Sequence, residues 1–159
     1  MVRSLIMTFC LLMTGSSAAI AGSNDFEGHW QFTSSQPAPW ADPKLPPMAS
    51  DDALFQNHPI VIGADSIDGP DMLNCGKTEF SVDGLPYAGL FEGGLAVEPG
   101  NPAAAPDEAK AKRLATSLGF SAEPVRTLSQ GCSEILLHLR DPDTIMIGLD
   151  NRIYSFRRQ

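Results

Sequence analysis

The residues able to do chemistry are few and scattered. Three histidines follow the first twenty positions, His29, His58 and His138, and no two lie within four residues of each other. A zinc site draws three or four ligands together, usually with a close sequence pair among them, so this spacing argues against a metal centre. His29 and His138 both fall on the polar side of an alternating pattern and read as solvent-facing strand histidines. Cys132 and His138 are separated by about 20 Å if the chain between them is extended, too far for a nucleophile and its base. Asp65, Asp68 and Asp71 form one carboxylate group, and Asp141 and Asp143 another. A glycosidase needs two carboxyls held about 5–10 Å apart across a cleft, and calcium needs a fuller ligand loop than 65–71 offers. Asp beside Gly or Pro caps turns, which accounts for both groups more simply. No Gly-x-Ser-x-Gly elbow, phosphate loop or dinucleotide fingerprint is present. The expectation is a protein with no catalytic residue, metal or cofactor.

The two tryptophans differ in context. Trp30 lies in an alternating stretch with Phe26 and Phe32 on one side and His29 and Gln31 on the other, the pattern of a core strand. Trp40 ends the run Gln36-Pro37-Ala38-Pro39-Trp40 in a Pro-rich connection spanning about 34–58. It either folds back to cap an end of the sheet or serves as an aromatic anchor for a partner. Trp40, Pro39 and Pro37 are therefore the candidate binding residues.

The elements that must position these residues are mostly strands. Alternating or β-branched runs at 26–33, 58–62, 65–70, 78–82, 90–95, 124–128, 135–140, 145–149 and 153–156 predict about eight short strands. Asp83-Gly84, Asp141-Pro142-Asp143 and Asp150-Asn151 read as turns between them. Asp51 to Phe55 suits one helical turn. One longer helix is predicted over 106–118: Pro106 suits its first position, Asp107 and Glu108 favour its positive end, and Ala111, Leu114, Ala115 and Leu118 form a stripe. Gly119 stops it, and Phe120 packs back over its end. The fold class is mainly β (α+β), a small antiparallel barrel or a strongly twisted sheet, with the last three strands as a meander. The barrel is preferred because it leaves fewer exposed strand edges.

Residues 1–21 predict a signal peptide. Arg3 supplies its charge, Leu5 to Met13 its apolar region, and Ala19-Ile20-Ala21 a small-x-small cleavage site. The apolar run is short for a membrane anchor, and bulky Phe9 before Cys10 argues against lipidation. Cleavage after Ala21 leaves a single domain of residues 22–159, and removing Arg3 takes the net charge from −8 to −9. So acidic a chain is unsuited to nucleic acid or anionic membranes. The mature chain keeps two cysteines, Cys75 and Cys132, and an oxidising compartment, periplasmic or extracellular, predicts that they pair. A monomer is expected.

Gly28-His29-Trp30 at the start and Tyr154-Ser155-Phe156-Arg157 at the end resemble the opening and closing strands of calycin-type barrels. Among exported bacterial proteins the pattern is similar to the alkaline metalloprotease inhibitors. The resemblance covers about ten residues. It implies that Gly28 and Trp30 open the barrel and that Arg157 covers the tryptophan. Two features depart from it. Only residues 22–26 precede the first strand, where those inhibitors carry a trunk, and the two cysteines lie far apart rather than across a short loop.

The reading that combines these features is a non-enzymatic exported binding or interaction module, inhibitor-like in character, with a protein or small apolar ligand as partner. A small-ligand carrier using the barrel interior is the alternative. A hydrolase built on Asp65 to Asp71 ranks third.

Overall fold

A computed structural model describes residues 23–46, 49–99, 101 and 105–159. The expected signal peptide and its cleavage site lie outside the described residues. Eight strands form one antiparallel sheet: β1 (Gly28–Pro37), β2 (Ile60–Ile62), β3 (Ile67–Asp68), β4 (Phe80–Leu85), β5 (Val125–Gln130), β6 (Ser133–Asp141), β7 (Thr144–Leu149) and β8 (Arg152–Arg158). Their spatial order is β3-β2-β1-β8-β7-β6-β5-β4, so the meander runs through five strands and β1 docks on its end. The sheet curls into a half-barrel, and its margins, β3 and β4, are not paired to each other. Two helices, α1 (Asp52–Asn57) and α2 (Glu108–Ser117), a short 3-10 turn, Ser23–Asp25, and a longer 3-10 segment, Tyr87–Gly93, complete the frame.

Curling gives the sheet two differently covered faces. Residues from β1, β2, β3 and β5 through β8 meet in an inner core: Trp30, Ile60, Ile67, Leu128, Leu137 and Phe156 are each at most 1% exposed. Phe55 of α1 closes this core, its ring 4.8 Å from Tyr154 and 5.1 Å from Phe156. The outer face carries a second core, in which Val125, Met146 and Ile153 lie with Leu90, Phe91, Ala111 and Ala115 from the 3-10 segment and α2. The strand β7 therefore buries consecutive residues, Ile145 and Ile147 inward and Met146 outward. This is the continuous apolar run of a strand covered on both faces.

The cysteines bring the β3 margin against the β5–β6 turn. Cys75 exchanges backbone hydrogen bonds with Ile67 of β3 at 2.8 and 2.9 Å, while Cys132 sits in the β5–β6 turn. Their Cα atoms are 6.0 Å apart, within disulfide reach. A bridge closing 57 residues is worth up to about 4 kcal/mol in the chain-entropy account.

Several expectations need correction. No strand forms at 90–95: Leu90 is extended, but Phe91 (φ 50°) and Glu92 (φ 57°) are left-handed, and the chain folds across the outer face instead. Asp83 and Gly84 do not turn. They pair with Thr127 and Arg126 inside β4, where neighbouring backbone satisfies them. The first strand continues to Pro37, so the Pro-rich connection begins at residue 38 rather than 34. In α2 the N-cap is Asp107, whose carboxylate accepts from the Lys110 N–H at 2.9 Å, which leaves Pro106 outside the helix.

The residue over Trp30 is Arg158, not Arg157. Register decides this, because Arg158 pairs with Trp30 whereas Arg157 pairs with Gln31 and is exposed. The Arg158 guanidinium lies 4.2 Å from the indole centroid. It donates to the carbonyls of Glu27, Asp25 and Pro142, and the indole N–H donates to the Phe26 carbonyl at 2.8 Å. Gly28 is required beneath it, since its φ is +139° and a Cβ there would come 2.7 Å from the guanidinium.

Candidate functional site

The Pro-rich connection folds back on the sheet rather than standing free. The Ala38 N–H donates to the Asn151 carbonyl in the β7–β8 turn at 2.8 Å, and further turns close at Ala41 to Ala38 and Leu45 to Asp42. Trp40 then wedges against two glycines. A Cβ on Gly94 would come 2.7 Å from the indole, and one on Gly148 would meet it at 3.4 Å. The indole packs on Phe91 with centroids 5.4 Å apart. Trp40 thus caps the outer core and, half-buried, also forms part of a surface wall.

Two clefts flank this wall, and Asn151 borders both. The first, of about 420 Å³, is lined by Trp40, Phe91 and His138 with the carboxylates of Glu92, Glu134 and Asp150. The second, of about 590 Å³, is mainly apolar, with Pro37, Ala38, Pro43, Leu45 and Pro46 beside Arg152. Leu45 is 63% exposed, the one large apolar side chain so exposed among the described residues. Of the candidate binding residues, Trp40 lines the first cleft and Pro37 the second. Pro39 is half-buried and lines neither.

His138 is the residue that sequence reasoning misplaced. It does lie on the non-inner side of β6, but that side is roofed by the 3-10 segment, and the imidazole is 0% exposed. Its Nε2 accepts the Phe91 N–H at 3.0 Å, and its Nδ1 lies 2.9 Å from Thr127 Oγ1. Because Nε2 accepts, the ring proton sits on Nδ1 and is donated to the threonine. The Thr127–His138 pair therefore looks like a nucleophile and base but has the opposite proton direction, and Thr127 is itself 3% exposed. Burial pulls the His138 pKa from 6.5 down to about 3, so the ring is neutral at ordinary pH. The positive φ values of Phe91 and Glu92 cost on the order of 1 kcal/mol each, and the His138 bond and the packing of Phe91 hold them in place. The available signal was the apolar content of Leu90-Phe91 next to a Gly pair, too irregular for a strand.

The remaining candidates are dispersed. His29 and His58 are exposed, as are Asp65, Asp68 and Asp71. The Asp65 carboxylate lies 4.0 Å from the Lys77 ammonium. Burial pushes the Asp141 carboxyl up, but hydrogen bonds from Arg140, the Asp143 N–H and Thr144, with the Arg140 charge, hold it below the usual carboxylate range. Burial also raises the Tyr154 phenol, which donates to Asp51 at 3.4 Å and accepts the Asp51 N–H at 3.1 Å. Among the described residues no three His, Cys, Asp or Glu side chains gather in a group able to hold a metal ion. No helix among them is long and apolar enough to cross a membrane. No family model, curated protein or solved structure matches the chain.

Proposed function

We propose that this is an exported, non-enzymatic binding module whose partner docks on the Pro37–Pro46 loop and the apolar cleft beneath it. The observation that carries the reading is Leu45, 63% exposed at the rim of a cleft walled by Pro37, Pro43 and Pro46. The root of this loop is fixed by the Ala38–Asn151 hydrogen bond and the Trp40 wedge. A loop fixed at its root loses little further freedom on binding, which suits an inhibitor-like or adaptor role. Export rests on the pattern of residues 1–21 and agrees with two cysteines at bonding distance.

Leu45→Asp tests the reading, because Leu45 contributes to neither core. Wild type and variant are used as bait against exported proteins, with a change at another exposed residue, Lys112→Ala, as a control. A protein captured by wild type and Lys112→Ala but lost with Leu45→Asp supports the docking site. Equal capture by all three overturns it.

The carrier reading asks for an apolar cavity inside the sheet, and the aromatic side chains filling the inner core weigh against that location. The second cleft offers a small apolar ligand a place on the outside. Binding of a fluorescent apolar probe to folded wild type, with loss on Leu45→Asp, would favour it over a protein partner. The hydrolase reading draws nothing from the exposed Asp65 to Asp71 group.

A further inference from the structure

His138 joins two parts of the outer face through buried hydrogen bonds. On one side is Thr127 of β5. On the other is the N–H of Phe91, at the start of a left-handed pair. The Phe91 ring touches the imidazole edge-on, with centroids 4.6 Å apart, and Trp40 rests on Phe91 in turn. One acceptor atom, Nε2, therefore holds the backbone of a strained turn, and that turn supports the wall of the first cleft. Protonation is the one ordinary event that abolishes this acceptor, because an imidazolium has donors on both nitrogens.

We propose that His138 is the latch of an acid-operated gate: uptake of a proton at Nε2 sets two donors face to face, releases Phe91 and Glu92 from the left-handed turn, and lets the Tyr87–Gly93 segment and Trp40 move apart to widen the first cleft toward the outer core. The gate is independent of whether the Pro37–Pro46 loop has a partner. In the closed form the ring is held neutral by burial. Once the segment lifts, the ring meets water and regains an ordinary affinity for protons, near 6.5. The midpoint of opening thus falls between about 3 and 6.5, and each unit below 6.5 reports a tenfold preference for the closed form.

The charged groups around the imidazole are Glu92 on the turn, Glu134 and Arg140 on its own side of β6, and Asp150 beyond β7. Arg140 is engaged by Asp141 at 2.9 Å and Thr144 at 3.1 Å. β5 presents Thr127 and β7 presents Met146, and α2 contributes the buried Ala111 and Ala115 to this core. Glu123 anchors the near end of the segment by accepting the Tyr87 N–H at 2.6 Å. The carboxylates also lose charge in acid, so the test must separate them from the ring.

His138→Gln does so. Its amide can accept from Phe91 and donate to Thr127, it does not titrate, and every neighbouring carboxylate is retained. The wild type and this variant are followed by nitrogen and proton NMR from pH 7 to pH 3, reading the His138 ring nitrogens, the Phe91 amide and the Trp40 indole. The gate predicts that imidazolium formation, the Phe91 shift and the Trp40 shift share one midpoint while amides of β5 to β8 keep their dispersion. In His138→Gln the Phe91 and Trp40 transitions disappear. Two outcomes overturn it: the ring protonates only as the sheet signals collapse, or Phe91 and Trp40 titrate alike in both proteins. Should His138→Gln fail to fold, the wild-type comparison of ring, turn and sheet signals decides alone.

Discussion

The two faces of the sheet are made from the same strands, yet they are buried by different means. Trp30 and Trp40 show the contrast. Trp30 lies in the inner core at 0% exposure, fixed by strand register, by Arg158 across its face and by one hydrogen bond to Phe26. Trp40 is half-buried on the outer side, held by two glycines and by a phenylalanine in a left-handed turn. The inner face is closed by the curl of the sheet itself, whereas the outer face depends on irregular chain. Irregular chain leaves backbone donors that the ladder cannot satisfy, and a buried histidine answers one of them. The polar contacts of the inner face lie at its edge, at Trp30 and Tyr154, whereas the outer face holds a fully buried histidine that must stay in one protonation state.

The contrast predicts a graded response to substitution. Trp30→Ala should have the largest effect, a loss of about 4 kcal/mol in urea unfolding or no folded protein at all, because a filled core cannot collapse around the cavity. A loss under about 1 kcal/mol would mean that the inner face is not the main core.

Acid acts on the outer face. The folded-state pKa of His138 is depressed, so the unfolded chain binds the proton more readily. The stability due to the neutral ring is fully present above pH 6.5 and is lost as pH falls toward about 3. The unfolding free energy of wild type, from urea titrations, should drop by up to about 1.4 kcal/mol per pH unit below 6.5 until the folded ring itself takes up a proton. That slope should be missing in His138→Gln. Parallel curves for the two proteins would remove the polar link from the comparison.

Gly94→Ala should cost about 1–3 kcal/mol, since its Cβ would sit 2.7 Å from the indole of Trp40. Trp40→Ala combined with it should recover part of that loss, and additive losses in unfolding measurements would show that the two do not touch. Leu45→Asp marks the lower end, within about 0.5 kcal/mol of wild type, because the side chain leaves no core position empty. A larger loss would place the loop tip within the fold rather than on its surface.

Much of the strand order could be read from local pattern. Ile135, Leu137 and Leu139 alternate, β7 and β8 follow at hairpin spacing, and the meander they predict is present and extended by two strands. Asp107 and Glu108 marked the helix start to within two residues. His138 shows where such pattern ends. Its position on the non-inner side of β6 was legible, but solvent was the wrong neighbour, since no local feature of residues 133–141 states that residues 87–95 lie above them. Asp83-Gly84 failed for a related reason: a turn dipeptide is overruled when a partner strand can pair straight through it.

By itself the sequence determined strand alternation and the absence of familiar catalytic motifs, because these depend on neighbours in the chain, and it limited the mature chain to one possible cysteine pair, because two cysteines allow only one. Tertiary structure alone decided that Arg158 covers Trp30, that Trp40 and Pro37 wall separate clefts, and that His138 is buried and neutral. Each of those follows from register or from long-range cover, and a one-residue slip or a fold of distant chain changes what a side chain meets without changing its local pattern.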